Sequence, residues 1–120
     1  MDLALLQKAY QNDQAVAFIW TVVEVVSIGA DLRAKADLPE TRIDAFIVNA
    51  MTALPANDFF IQFRAQLLPV MHQTFMRLAT GASVKQACSD IAEYTAYLCG
   101  GPERAKEFAP QIRAMFYEHA

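Results

Sequence analysis

The sequence predicts an all-α protein: a compact bundle of about six helices around one central apolar helix, with residues 1–120 as a single helical domain. Three observations predict it. Across residues 14–31 the polar side chains Gln14, Thr21, Glu24 and Asp31 recur at helical spacing, while Val16, Phe18, Ile19, Trp20, Val22, Val23, Val25 and Val26 fill the rest of the surface. Capping residues, glycines and prolines cut the remainder into segments of helical length. A chain of 120 residues has the usual size of one domain, and no repeat, low-complexity tract or long linker divides it.

Taken in order, Asp2 caps a short first helix over 3–11, with Leu3, Leu6 and Tyr10 as its apolar stripe. Asn12 and Asp13 offer the next cap, and the central helix runs from Gln14 to about Ala30. Its many β-branched residues make a buried strand the rival reading; length and the spacing of the polar residues favour helix. Residues 30–38 are polar and read as a loop or frayed helix end. Pro39 and Glu40 begin another helix, with Asp37 or Leu38 at the capping position and Ile43, Phe46, Ile47, Ala50, Met51 and Leu54 as its stripe. Pro55 stops it, because the ring pushes Leu54 out of the helical region.

Asn57 caps a helix reaching about Ala79, and Asp58 in its first turn suits the positive end of the dipole. Pro69 removes a backbone donor and crowds the carbonyl four residues back, so this helix is expected to kink or split there. Thr80 and Gly81 form a stop, and Ser83 with Gln86 has the capping-box spacing for a helix over 84–99. Gly100 and Gly101 end it. Pro102 starts a short charged helix, and Pro110 opens a last one through Met115, Phe116 and Tyr117.

Hydrophobic residues make up 55% of the chain and charged residues 19%, against roughly 45–50% and about 25% in ordinary soluble domains. A domain this short leaves around a third of its unfolded surface in water. The surplus apolar residues must therefore lie on the surface or be covered by another molecule, which predicts a homo-oligomer or a protein partner. The net charge is −3 and the ten Lys and Arg residues form no block, which argues against a nucleic-acid partner. Asp2 stands where a secretory signal wants positive charge. Residues 15–30 carry Thr21, Glu24 and Ser27 and fall short of the about 20 apolar residues of a membrane span, so no membrane association is expected. Cys88 and Cys99 lie on one expected helix roughly 16 Å apart along its axis, too far for a bridge, whose Cα atoms sit about 4.4–6.8 Å apart. Reduced thiols and a cytoplasmic location follow.

The aromatic cluster Phe59, Phe60 and Phe63, with Met71, Phe75 and Met76 beyond it, is the candidate partner-binding patch. Helical neighbours point about 100° apart, so Phe59 and Phe60 cannot share a face. Either one of them is left for a partner or both pack beneath the flanking loop as core. Glu24 and His72 are the candidate polar site. Glu24 sits in the most apolar run, where burial would raise its pKa and suit it to proton transfer; the blander reading leaves it in water on the strip with Thr21 and Asp31. His72 lies three residues after Pro69, where a bend could open it to a cleft, yet no ligand-spaced partner accompanies it. No cofactor, metal site or catalytic set is read from the chain. Lys85 lies three residues before Cys88, but buried inert thiols are the favoured reading of both cysteines. Gly100 and Gly101 before Pro102 form a helix stop and restart rather than a phosphate loop. The Thr80 to Ala92 stretch has the shape of a helix-turn-helix, but Asp90 and Glu93 follow Lys85 and Gln86 and would repel phosphates.

Three strings resemble landmarks of small helical proteins of tailed bacteriophages. They are Phe18-Ile19-Trp20-Thr21-Val22-Val23-Glu24-Val25, Ala53-Leu54-Pro55-Ala56-Asn57-Asp58-Phe59-Phe60 and Cys99-Gly100-Gly101-Pro102-Glu103-Arg104-Ala105. That family is uncharacterised, so the resemblance implies a phage or prophage origin and a host-cytoplasm or virion setting, and no activity. Its acidic residues after the Glu of the first landmark are replaced here by Val25, Val26 and Ser27, so no carboxylate site is carried over. The function expected is that of a non-enzymatic, self-associating interaction protein, in a phage an inhibitor of a host system or a small assembly component. Two alternatives stand beside it: a small-molecule or carboxylate site in the bundle near Glu24 and His72, and DNA binding through the Ser83 helix.

Overall fold

The valine-rich run winds as a helix. In the computed structural model, which describes residues 14–35, 37–53 and 57–113, helix α1 spans Gln14–Ala34. A 3-10 turn at Glu40–Arg42 leads into α2 at Ile43–Thr52, followed by α3 at Asn57–Ala79 and α4 at Val84–Arg113. The fold is all-α, and the described residues contain no strand. The Cα radius of gyration of 13.4 Å is that of a compact folded chain of this length, for which about 13–14 Å is expected.

Helix α1 is the centre. Val16, Phe18, Ile19, Trp20, Val22, Val23, Val25 and Val26 are all buried, and α2, α3 and α4 each pack on it. Burial on nearly every side requires apolar residues around the whole circumference, which is why no single stripe dominates this segment. Thr21, expected on a wet polar strip, is buried; its hydroxyl donates to the Ala17 carbonyl at 2.8 Å and needs no water. Thr74 and Thr95 are satisfied in the same way by Val70 and Ile91. At Gly29 the backbone of α1 lies against the Phe75 ring, so that a Cβ there would collide with it. Phe75 in turn meets the edge of Phe46 at 6.2 Å, joining α1, α2 and α3.

Among the described residues, four helices stand where about six were expected. The helix expected over 3–11 lies outside the described residues, as do Met115, Phe116 and Tyr117. The expected stop and restart at Gly100-Gly101-Pro102 is seen within α4, where two helical stretches meet at a kink. Only Gly101 leaves helical geometry, with φ 77° and ψ −169°, and Pro102 needs no N–H donor in the first turn that follows. Pro110 then lies within the same helix on its exposed side, where water can reach the carbonyl of Lys106 that loses its partner. Past the bend, Phe108 returns to the core and Arg104 stacks over its ring at 4.8 Å.

Two further boundaries differ. α1 continues through residues 31–34, part of the stretch expected to be a loop or frayed helix end, and closes with Asp37 N–H on the Leu32 carbonyl at 2.8 Å. That extension makes Ala15–Ala34 long and apolar enough to cross a membrane, although most of it is buried among the other helices. α3 is not split at Pro69, because the ring is exposed and the orphaned carbonyl of Ala65 also lies at an exposed residue. The turn between α3 and α4 is as expected: Gly81, with φ 98°, donates to Leu78 O, Ala82 N–H reaches Arg77 O, and Ser83 Oγ accepts from Gln86 N–H at 3.4 Å.

Candidate functional site

The aromatic patch turns inward. Phe60 is 1% exposed and belongs to the core, so it is not available to a partner in the folded chain. Phe59 and Phe63 are partly buried against Phe18, with ring centroids 5.6 and 6.3 Å away, and lie 6.4 Å from each other. Of the two readings of this cluster, the one in which both Phe59 and Phe60 pack as core is what the fold shows, with Phe18 of the central helix facing Phe59 and Phe63.

Helix α3 has an outer face with a different pattern. Asp58, Ile61, Ala65, Leu68 and His72 follow one another at intervals of three, four, three and four. Ile61 is 64% exposed, Asp58 and Ala65 are exposed, and Leu68 and His72 are half-buried. That spacing is the seam of a helix that packs against another helix. It was present in the sequence but hidden behind the stronger aromatic signal.

Glu24 is half-buried on α1. His72 Nδ1 and Asp44 Oδ1 stand 2.7 Å apart, joining α3 to α2 where both side chains reach solvent. Among the described residues, no three His, Cys, Asp or Glu side chains come together as a metal site. Cys88 is buried and Cys99 half-buried; neither is bridged. Burial pushes the Cys88 thiol up from its ordinary value, and a contact at 3.5 Å with the Ser27 hydroxyl only partly offsets this.

On the Ser83 helix, Gln86 Nε2 donates to Asp90 Oδ1 at 2.7 Å and Arg77 lies 3.8 Å from the other Asp90 oxygen. The helix therefore turns an acid and its partners toward each other, and leaves Lys85 exposed. Beside its first residue, Val84, lies a groove of about 390 Å³ that also takes in Arg33 of α1. Comparison with family models, with curated proteins and with solved structures finds no match to this chain.

Proposed function

We propose that this protein is a non-enzymatic interaction protein that pairs with a second copy of itself through the outer face of α3. The observation that carries the reading is the Asp58-Ile61-Ala65-Leu68-His72 seam, apolar in its middle, polar at both ends and centred on a small residue. Two such helices laid antiparallel about Ala65 bring the two backbones close at the alanine. They also set Ile61 against the partner helix near Leu68 and Pro69, and place Asp58 opposite His72 of the second copy. A hydrophobic content of 55% in a chain this short supports the same reading. The phage resemblance makes a small assembly component or an inhibitor of a host system the natural setting for such a pair.

Sedimentation velocity tests it. The wild-type chain is expected to sediment as a dimer at micromolar concentrations, and Ile61→Asp as a monomer of unchanged helicity. A wild-type monomer throughout that range, or an Ile61→Asp variant that still pairs, overturns the proposal.

A further inference from the structure

His72 stands at the C-terminal end of the α3 seam, with its side chain 33% exposed. Its Nδ1 lies 2.7 Å from Asp44 Oδ1 on α2. An ionised carboxylate only accepts hydrogen bonds, so Nδ1 must carry the proton and donate. In the neutral ring that leaves Nε2 as a bare acceptor, and among the described residues no donor meets it.

The charges around the ring are few. Among the described residues, Asp44 is the only ion-pair partner of His72. On α3 the residues one turn to either side, Leu68, Pro69, Phe75 and Met76, carry no charge. Arg77, further along α3, pairs with Asp90 of α4. Arg33 of α1 donates to the Leu38 carbonyl, and Glu40 and Arg42, in the turn before α2, are exposed.

In the pairing proposed above, on which this inference rests, Asp58 of the second copy comes to the open side of the same ring. The imidazole then stands between two carboxylates, Asp44 of its own chain and Asp58 of the other. While neutral it turns the Nε2 lone pair toward a group that can only accept. One added proton makes Nε2 a donor, and the imidazolium bonds both carboxylates. The second α3 also brings the positive end of its dipole to this place, and Asp58 in its first turn offsets that charge. We infer that His72 makes the pairing proton-gated, so that two copies associate more tightly in acid. By symmetry each dimer holds two such rings, and pairing takes up protons at both. The gain is complete well below about pH 6.5, the ordinary imidazole value, and is lost as the pH rises past it.

The test is sedimentation velocity of the intact chain at about pH 6 and about pH 8, which straddle the imidazole range and stay above the pI of about 5.2. The wild-type dimer is expected to be about tenfold tighter at the lower pH. His72→Gln should still pair but lose the pH dependence, while His119→Gln, at the chain's other histidine, should keep it. Asp58→Asn supplies an amide that can donate to the neutral ring, so it should pair at about pH 8 as tightly as the wild type does at about pH 6. That variant decides the matter if His72→Gln does not fold. Wild-type dimers of equal affinity at both pH values overturn this inference and leave the pairing standing, as does undiminished pH dependence in His72→Gln or Asp58→Asn. A wild-type monomer at both pH values overturns both proposals.

Discussion

The two faces of α3 share one backbone and differ in almost every other respect. The inner face spends Phe60, Leu67, Met71 and Phe75 on the core, each 1% exposed or less. The outer face spends Ile61, Ala65 and Leu68 on a narrow seam that remains partly open to water. Hydrophobicity alone does not separate them. What separates them is the presence of α1, α2 and α4 on one side, since a residue becomes core only when another element supplies the atoms it touches. Substitutions on the inner face should therefore act on folding, and those on the outer face on association.

The largest effect is expected on the inner face. Phe75→Ala should cost about 3–5 kcal/mol in denaturant-induced unfolding, because the ring fills the junction of α1, α2 and α3. A loss below about 1 kcal/mol would mean that the junction collapses to fill the gap. Next, Gly29→Ala should cost about 1–3 kcal/mol by overpacking against the same ring. The pair Gly29→Ala with Phe75→Leu should recover part of that cost, which a double-mutant cycle measures.

On the outer face, Ile61→Asp should change monomer stability by no more than about 0.5 kcal/mol, as is usual for exposed positions. A large loss of monomer stability would erase the distinction between the faces. The smallest effect concerns pH. Because the Cys88 thiol is pushed up in the folded state from an ordinary value of 9.0, its neutral form is the one the fold prefers. Its contribution is fully present below pH 9.0 and is lost as the pH climbs from there through the higher folded value. Cys88→Ala should flatten that alkaline decline in thermal melts, and a thiol reagent should label Cys99 before Cys88.

Much of the architecture was readable in the residues themselves. The central helix follows from Val16 to Val26 and the α3–α4 turn from Gly81 and Ser83, because each depends on local chemistry; Leu54 and Pro55 lie outside the described residues. What was not readable depends on neighbours. Thr21 looks wet by composition and is dry because its hydroxyl bonds within its own helix. Phe60 reads as a partner anchor or as core, and only the assembled bundle shows it to be core. Pro69 breaks nothing because its ring faces outward, and orientation is a property of the assembled bundle. The groove at Arg33 was invisible for the same reason, since its walls come from segments nearly fifty residues apart in the chain.

The bend at Gly101 sets the dimensions of the whole molecule. A straight rod of the 30 residues in α4 would run about 45 Å at 1.5 Å per residue, beyond the 35 Å of the longest axis. One left-handed residue folds that overhang back along the body and turns what would be a projecting spike into a lid that seats Phe108.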